Sequence, residues 1–146
     1  MTDREIAEFF PVEWQRYKAT LIETGMSEES AQANIAMNTE ALFPGGSLRE
    51  GNFLFNVLSD NQIVGDLWIA RQTGDASTYF IYDIEILESY RGQGLGRLTM
   101  QAGEEFVRQQ GGSALELNVF WINEVARSLY LSLGYNFSSA HMRKAL

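Results

Sequence analysis

The chain has 146 residues, of which 45% are apolar and 21% charged, and its formal net charge at pH 7 is −8. These values are typical of a soluble globular protein, and we expect one domain over residues 1–146. The acidic balance argues against a nucleic-acid interface, which needs clustered lysines and arginines, and no apolar run approaches the roughly 18 residues of a membrane span. Cysteine is absent, which excludes disulfides and thiolate nucleophiles and predicts a cytoplasmic location.

Two helices are predicted at the start of the chain. The first covers residues 3–24, with Pro11 marking a break or a fresh start, and Gly25 ends it. Its apolar side chains recur at helical spacing and are expected to face the core: Trp14, Tyr17 and Leu21. Ser27 is predicted to cap a second helix that continues to about Leu42.

Three strands rich in Phe, Val, Ile and Trp follow: Asn52–Ser59, Gln62–Arg71 and Thr78–Leu87. Asp60-Asn61 is predicted to form the hairpin turn between the first two strands. A helix from about Gly94 to Gln110 comes next. Its inner face is predicted to carry four apolar residues: Leu95, Leu98, Ala102 and Phe106. Gly103 in this helix costs about 1 kcal/mol of helix stability against Ala, which predicts close packing at that point.

The remaining predicted elements are a strand, a helix and two short strands: Ala114–Phe120, Asn123–Leu133, Tyr135–Ser138 and Ala140–Lys144. The helix is expected to turn five apolar residues inward: Ile122, Val125, Ala126, Leu129 and Leu133. The order of elements joins a meander of antiparallel strands to a strand-helix-strand unit, which requires a parallel pair and a right-handed crossover. The sequence therefore predicts an α+β domain, with a mixed β-sheet covered by helices on both faces.

A glycine-rich segment, Arg91-Gly92-Gln93-Gly94-Leu95-Gly96, stands where the third strand leads into a helix. Glycine lets the backbone approach an anionic ligand closely, and the first N–H groups of a helix are available to donate. The spacing is neither the dinucleotide pattern G-x-G-x-x-G, because Arg97 replaces the third glycine, nor a P-loop. With Arg91 and Arg97 beside it, the segment predicts an anion site suited to a pyrophosphate. The alternative is a glycine-rich turn with two solvated arginines.

The same segment resembles the acetyl-CoA pyrophosphate motif of the GNAT superfamily of N-acetyltransferases. A second resemblance, in the following helix and strand, rests on Asn123, Ala126, Tyr130, Leu133-Gly134-Tyr135 and Phe137. The resemblance is clearest over residues 52–146, where His141–Lys144 also resembles the end of a bacterial branch of the superfamily. Members usually begin with a strand. Here the first strand is predicted to be missing or very short. The sequence therefore does not decide which strand forms that edge of the sheet, or whether the protein forms a homodimer.

The resemblance implies how acetyl-CoA is bound. In the superfamily the strand before the glycine loop separates from the next parallel strand and its exposed backbone binds pantetheine, which implies a contact at Ile86. Backbone N–H groups of Gln93, Gly94, Gly96 and Arg97 would meet the pyrophosphate. Asn123 would hold the pantetheine arm, cap its own helix, or do both. The implied cofactor-binding residues are Ile86, Arg91, Gly92, Gln93, Gly94, Leu95, Gly96, Arg97 and Asn123.

The resemblance also implies that Tyr130 protonates the departing CoA thiolate. A phenol with a reference pKa near 10 is protonated at neutral pH and can donate to a thiolate whose parent pKa is about 8.5. The alternative is a tyrosine at the edge of the core, beside Ala126 and Leu133. Because cysteine is absent, we expect the amine to attack the thioester directly, within a ternary complex.

Polar residues interrupt two strands that should be almost continuously apolar if helices cover both faces: Asp83 and Glu85, and Glu116 and Asn118. Each pair is spaced by two residues and so lies on one face of its strand. We expect both pairs on the face that lines the acceptor site, with Asp83, Glu116 and Asn118 as substrate-binding residues. Glu85, nearest the expected strand separation, is the candidate general base, directly or through water. The alternative is a structural carboxylate or one exposed at a strand end.

These observations predict an N-acetyltransferase that moves acetyl from acetyl-CoA to a primary amine of a small molecule or a protein. Two alternatives stay open: a longer acyl-CoA donor, and a non-catalytic acyl-CoA-binding or regulatory module. No spacing of His, Asp or Glu matches a metal site, so no metal is expected. His141 is the one histidine and is expected to be structural or exposed. No nucleic acid and no membrane is expected among the partners.

Overall fold

The computed structural model describes residues 1–44, 47–140, 142 and 144. Within them the helices are α1 (Asp3–Glu23), α2 (Glu28–Leu42), α3 (Leu95–Gln109) and α4 (Glu124–Ser132). The strands are β1 (Asn52–Ser59), β2 (Gln62–Arg71), β3 (Thr78–Ile86) and β4 (Ala114–Leu117). They form one sheet in the order β1-β2-β3-β4, antiparallel from β1 to β3 and parallel between β3 and β4. The predicted α+β class with a mixed sheet is confirmed.

Helix α1 runs without interruption through Pro11, so the predicted break at that residue is wrong. A capping box fixes the start of the helix: Thr2 Oγ1 accepts from the Glu5 N–H, and Glu5 Oε2 accepts from the Thr2 N–H. A proline inside a helix costs about 3 kcal/mol because one hydrogen bond is lost. The neighbouring Phe10 is buried edge-on against Trp68, with ring centroids 5.1 Å apart. This packing holds α1 on the sheet next to the proline.

The connection into α2 follows the sequence prediction. Gly25 has φ +94° where α1 ends, and Ser27 accepts a hydrogen bond from the Ser30 N–H as the N-cap of α2. In the described chain no strand precedes α1. The ammonium group of Met1 instead donates to the Leu54 carbonyl oxygen of β1 at 2.8 Å.

Helices cover both faces of the sheet. Helix α3 lies on one face, over a buried cluster of Leu67, Ile69, Tyr79, Ile81, Met100 and Val107. Helices α1 and α2 lie on the other, over a cluster of Phe9, Phe10, Leu42, Leu54 and Trp68. The candidate active site lies at the end of β3, on the face that α1 covers.

The inner face of α3 differs from the prediction. The buried residues of this helix are Thr99, Met100, Gly103 and Val107, whereas Leu98 and Ala102 are exposed. The helix is therefore rotated by about one residue, because the absence of a side chain at Gly103 lets the helix approach the sheet there. A Cβ at Gly103 would lie 3.2 Å from Ile69 Cδ1, which confirms the predicted close packing.

Helix α4 and the segment after it also differ from the prediction. Leu129 and Leu133 pack on the core as expected, but Val125 is 84% exposed and Ile122 is also exposed. Strand β4 ends three residues early, at Leu117 instead of Phe120. The predicted strand Tyr135–Ser138 is not formed in the described chain. The predicted strand Ala140–Lys144 falls partly on residues outside the described ones, and so does His141.

A β-bulge in β3 prepares the site. Ile69 pairs with Ile81, but the preceding Trp68 pairs with Asp83, so Tyr82 is the extra residue on β3. Tyr82 stacks on Trp68 with ring centroids 4.8 Å apart, on the face covered by α1. Asp83 lies on this same face, since its carboxylate is 3.3 Å from Arg16 of α1. The bulge thus shifts the alternation of β3 so that its two acidic residues point toward α1.

Candidate active site

The pairing of the parallel strands β3 and β4 stops where β4 ends, well before the end of β3. Their pairing begins at Thr78 and Ala114 and stops at Ile81 and Leu117, while β3 continues to Ile86 paired only with β2. Backbone N–H and C=O groups beyond Ile81 therefore face the gap on the β4 side, and in the described chain no strand covers them. This is the separation that the resemblance implied for the pantetheine-binding strand.

The glycine loop follows this open edge. Gly92 and Gly94 have φ of +76° and +81°, in the left-handed region that glycine adopts without strain. A Cβ at either position would meet no atom within 4 Å, so the loop surface is bare backbone. Gly96 has a different role, because a Cβ there would lie 3.4 Å from Leu129 Cδ2 of α4. The third glycine thus lets α3 and α4 approach each other.

The first turn of α3 begins at this loop. The Arg97 N–H donates to the Gly94 carbonyl oxygen at 3.0 Å, and the Leu98 N–H shares that acceptor. Arg97 therefore does not offer the backbone donor predicted for it. The loop N–H groups without an acceptor in the described chain belong to Gly92, Gln93, Gly94, Leu95 and Gly96. They point outward at the positive end of the helix dipole, where an anion is favoured.

Both arginines that flank the loop are tied to neighbouring elements. Arg91 Nε donates to the Ile86 carbonyl oxygen at 2.9 Å, and its guanidinium forms an ion pair with Glu85. Arg97 Nη2 donates to Ser132 Oγ at 2.6 Å, next to the end of α4. Arg91 thus joins the end of β3 to the start of the glycine loop. It also occupies the carbonyl oxygen of Ile86, a residue whose backbone was predicted to bind pantetheine.

Four carboxylates surround one guanidinium beneath α1, and we call this group the Arg16 cluster. Its ion pairs join Arg16 to Glu13 at 2.9 Å, Asp83 at 3.3 Å, Asp66 at 3.5 Å and Glu85 at 3.9 Å. Glu85 therefore lies between two cations, Arg16 from α1 and Arg91 from the loop. With every carboxyl group ionised, four negative charges would face these two cations.

Local backbone structure sets these positions. Asp66 on β2 is the direct cross-strand partner of Glu85 on β3, so both side chains lie on the face toward α1. The preceding Gly65 permits this pairing, because a Cβ there would lie 2.1 Å from the Glu85 carbonyl oxygen. Glu13 and Arg16 are one turn apart on α1, and both side chains lie on the helix face that covers Asp66 and Glu85.

Burial and mutual repulsion shift the ionisation of the cluster. Burial raises the pKa of Glu13 to about 7, opposed by Arg16. Burial, together with Asp66 and Glu13, raises the pKa of Asp83 to about 9. Burial by itself would lower the pKa of Arg16, but Asp83 and the other carboxylates outweigh it and raise that pKa. The cluster consequently holds protons that isolated carboxyl groups would have lost at neutral pH.

Tyr130 lies on α4 and packs against the core under α3, with its ring centroid 6.0 Å from that of Tyr135. Burial, followed by the charge of Asp83, raises the pKa of Tyr130 to about 12. The phenol therefore keeps its proton throughout the neutral range. Asn123 caps α4, since its Oδ1 accepts from the Ala126 N–H at 3.1 Å. The capping alternative for Asn123 is thus present in the structure.

The structure does not bring the polar residues of β4 into the Arg16 cluster. Glu116 lies beside Phe80 in the parallel ladder, so it shares the sheet face toward α1, but it is exposed. Asn118 follows the end of β4 and is also exposed. Within the described part of the chain neither residue has an ion pair with the cluster. Their role in substrate binding stays a prediction.

Sequence reasoning missed three members of the Arg16 cluster: Glu13, Asp66 and Arg16. A signal was present for two of them. Glu13 follows Phe9 and Phe10 at helical spacing and so interrupts the apolar face of α1, and it is 6% exposed. Asp66 interrupts an otherwise apolar strand in the way that Asp83 does. For Arg16 no pattern in the sequence indicated a contact with β3.

Two observations concern the described residues as a whole. No group of three or more His, Asp or Glu side chains among them is arranged to hold a metal ion. No described helix combines the length and the apolar character needed to cross a membrane.

A sheet whose parallel strands separate beside a glycine-rich helix start is the arrangement expected of an acyltransferase that binds an acyl-CoA donor at this gap. The sequence model of the Acetyltransferase (GNAT) family matches residues 4–135. The chain belongs to this family of acetyltransferases.

Relatives extend along the whole chain. YdgE of Bacillus subtilis (strain 168), described as an uncharacterized N-acetyltransferase, is 31% identical over 149 residues, covering 100% of this chain and 95% of that protein. The crystal structure of YycN from Bacillus subtilis, described as an acetyltransferase, superposes with a TM-score of 0.90 at 29% identity, covering 100% and 95% of the two chains. An aminoglycoside acetyltransferase from a soil metagenomic sample shares the fold, with a TM-score of 0.61 at 17% identity over 100% and 93%.

Proposed function

We propose that this protein transfers acetyl from acetyl-CoA directly to a primary amine of a small molecule or a protein. The observation that carries the proposal is the gap between β3 and β4 beyond Ile81 and Leu117, together with the glycine loop that follows β3. In that loop the Cβ positions of Gly92 and Gly94 are open. An extended donor with a pyrophosphate at one end matches both parts of this surface. Membership of the acetyltransferase family supports the reaction type.

The donor would be held mainly by backbone groups. The N–H groups of Gln93, Gly94, Leu95 and Gly96 would bind the pyrophosphate, with the dipole of α3 adding positive potential. The open edge of β3, ending at Ile86, would pair with the pantetheine amides. Because Arg91 donates to the Ile86 carbonyl oxygen, it would have to move if the donor used that acceptor. Asn123 would keep its cap and present its amide nitrogen to the pantetheine arm.

Each proton transfer in the proposed reaction is assigned to a side chain of this protein. The acceptor enters as an ammonium ion and gives a proton to Glu85, directly or through water. Its nitrogen then attacks the thioester carbonyl carbon, and the new C–N bond forms as the C–S bond breaks. The second proton on that nitrogen passes through water to the Tyr130 phenolate once Tyr130 has protonated the thiolate, and Glu85 later returns its proton to solvent. Tyr130 gives its proton to the leaving thiolate, and its raised pKa keeps it loaded at neutral pH. Asp83, Glu116 and Asn118 are assigned to the acceptor.

Glu85 is preferred as the base because it lies at the end of β3 and is partly open to solvent, with its side chain 27% exposed. Glu13 has a pKa near neutrality, which suits a general base, but it is enclosed beneath α1. The greater solvent exposure of Glu85 therefore favours it as the base. Substitution of each residue in turn distinguishes the two assignments.

A two-part experiment tests the proposal. Thermal unfolding is followed with and without acetyl-CoA, and release of the CoA thiol is measured across a panel of amines. Stabilisation by acetyl-CoA with turnover on at least one primary amine is the expected result. Binding without turnover on any amine would favour the non-catalytic module, and turnover only with longer acyl-CoA esters would favour the alternative donor. No stabilisation by any acyl-CoA contradicts all three. Cytoplasmic location and homodimerisation stay predictions.

A further inference from the structure

One guanidinium group contacts both the proposed donor edge and the proposed base. Arg91 Nε donates to the Ile86 carbonyl oxygen at 2.9 Å, and Arg91 Nη2 donates to Glu85 Oε1. Ile86 is the last residue of β3, and Gly92 of the glycine loop follows Arg91 directly along the chain. The side chain of Arg91 therefore reaches from the loop back to the last two residues of the strand.

The ion pair between Arg91 and Glu85 is open to solvent. The side chain of Arg91 is 59% exposed and that of Glu85 is 27% exposed. Water screens charges at this exposure, so the pair is a weak one. Among the described residues Arg91 has no other ion pair. The guanidinium is thus held by one screened carboxylate and one carbonyl oxygen, and a stronger anion beside it can displace both.

The glycine loop offers a place for such an anion next to Arg91. The unpaired loop N–H groups begin at Gly92, at the positive end of the α3 dipole. A guanidinium binds phosphate oxygens through paired, charge-assisted hydrogen bonds. Each phosphate of a pyrophosphate carries a negative charge, whereas the single charge of Glu85 is already shared with Arg16, 3.9 Å away. A pyrophosphate on the loop is therefore the stronger partner for Arg91.

We propose that Glu85 and the pyrophosphate of the donor compete for Arg91, and that donor binding draws Arg91 away from the end of β3. Arg91 is then a positioning residue, which acts through Glu85 and through the Ile86 carbonyl oxygen. This inference rests on the proposed acetyl transfer and adds a link between its donor site and its base. No covalent bond changes, because Arg91 keeps its charge and exchanges one set of hydrogen-bond acceptors for another.

Two groups become available when Arg91 moves to the donor. The Ile86 carbonyl oxygen can accept from a pantetheine amide, and Glu85 Oε1 can accept the proton of the amine. Without the donor, Glu85 lies between two cations, Arg91 and Arg16. With the donor in place only the more distant cation, Arg16, remains. The base is thus released when the acetyl group is present to react.

The competition predicts that loss of a carboxylate improves donor binding. A donor that must displace Glu85 from Arg91 binds more tightly once that carboxylate is absent. The dissociation constant of CoA is measured by titration calorimetry on the whole chain, without any amine. Glu85→Gln is expected to lower it about fivefold, at the lower end of typical coupling between sites. An unchanged or raised value overturns the competition, because it means that Glu85 does not oppose donor binding.

A matched variant separates this effect from general electrostatics. Glu88→Gln makes the same charge change in the short turn Glu88–Tyr90, between β3 and the glycine loop. Glu88 is exposed and forms no ion pair with the described residues. Its substitution is expected to change the dissociation constant of CoA by less than about twofold, because an exposed charge is screened. A gain equal to that of Glu85→Gln overturns the inference, since any nearby negative charge would then have the same effect.

Arg91→Met shows whether the effect passes through Arg91. Methionine has an unbranched side chain without charge, and its introduction is expected to raise the dissociation constant of CoA about tenfold through loss of a charge-assisted contact. Adding Glu85→Gln to Arg91→Met should then give no further gain. A gain that persists in the double variant overturns the inference, because Glu85 would act by another route. Arg91→Gln takes the place of Arg91→Met if that variant does not fold.

Dephospho-CoA identifies the phosphate that draws Arg91. This compound keeps the pyrophosphate of CoA and lacks the 3′-phosphate. Glu85→Gln is expected to improve its binding by the same factor as that of CoA. A gain confined to CoA overturns the proposed competition, since the 3′-phosphate would then be the group that takes Arg91.

The binding measurements keep the inference separate from the proposed function. Turnover of an amine, with equal dissociation constants of CoA for the wild-type protein and Glu85→Gln, overturns the inference and leaves acetyl transfer standing. Binding of CoA without turnover of any amine contradicts the proposed transfer, and the gain in Glu85→Gln still decides the competition for Arg91. No binding of CoA or acetyl-CoA by the wild-type protein contradicts both.

Discussion

Asp66 of β2 and Glu85 of β3 are direct cross-strand partners, and Arg16 of α1 lies 3.5 Å from the first carboxylate and 3.9 Å from the second. This relationship joins the first helix of the chain to the end of the strand that borders the donor gap. The proposed base and the proposed donor edge thus lie on the same strand, β3.

Replacement of Tyr130 by Phe tests the assigned acid. The change removes the one proton donor proposed for the thiolate while keeping the ring that packs on the core. We expect kcat to fall by about 10²-fold or more, with little change in the melting temperature or in acetyl-CoA binding. Steady-state kinetics and thermal unfolding measure both. Tyr90→Phe, which removes an exposed hydroxyl bonded to Gln62, is the control and should keep full activity.

The pH dependence of Tyr130 adds a second test. Because its pKa is raised to about 12, its ionisation should not lower the rate between pH 7 and about 10. A basic limb within that range that disappears in Tyr130→Phe would show that the phenol titrates lower than its buried position implies.

Glu85→Gln tests the assigned base. The amide keeps the size of the side chain but cannot accept the proton, so kcat/KM is expected to fall about 10²-fold. Glu13→Gln is the matched variant, because Glu13 has a pKa near 7 and lies in the same cluster. Loss of kcat/KM in Glu13→Gln, with kcat/KM retained in Glu85→Gln, would transfer the base role to Glu13.

Stability should decrease as pH rises through the neutral range. The pKa of Glu13 is about 7 in the folded chain and about 4.3 when unfolded, so the folded state binds more protons between these values. The contribution of Glu13 to the free energy of unfolding is therefore fully present below about pH 4 and is lost as pH rises toward 7. The limiting slope of this contribution is about 1.4 kcal/mol per pH unit. Asp83, whose pKa is raised to about 9, extends the decline to higher pH.

Glu13→Gln checks this sign. The variant should have a smaller loss of melting temperature between pH 5 and pH 8, because one buried carboxyl no longer ionises. Thermal unfolding across pH, with Glu105→Gln as a surface control, measures the difference. A wild-type protein that becomes more stable from pH 5 to pH 8 contradicts the assignment.

Gly94→Ala tests the donor loop against a matched glycine. Gly94 and Gly111 flank the two ends of α3 with φ of +81° and +78°, and a Cβ at either would meet no atom within 4 Å. Alanine should cost about 1–2 kcal/mol of stability at each position because of backbone strain. Only Gly94→Ala should also remove the stabilisation by acetyl-CoA, since Gly111 lies far from the gap. Equal acetyl-CoA shifts in the two variants would show that the loop does not bind the donor.

Local signals predicted much of this fold. The ranges of β1 and β2 follow from runs of apolar and β-branched residues bounded by polar turns, and the structure has them at the predicted residues. The left-handed Gly92 and Gly94 follow from a strand-to-helix turn that only glycine forms easily. The end of the chain was less predictable. The segment Tyr135–Ser138 has strand-like composition but no strand in the described structure, since strand pairing depends on contacts with a distant segment, which local composition does not encode.

The sequence by itself determined the family, the glycine loop and the acidic residues of β3, because these depend on residue types at fixed spacing along one stretch of chain. The tertiary structure decided that Glu13 and Arg16 belong to the same site. They lie on α1, and only the packing of Phe9 and Phe10 on the sheet brings them over Asp83. The bulge at Tyr82 and the pairing of Asp66 with Glu85 are also decided by register between strands. Contacts between distant segments depend on how elements pack, and no local pattern encodes that geometry.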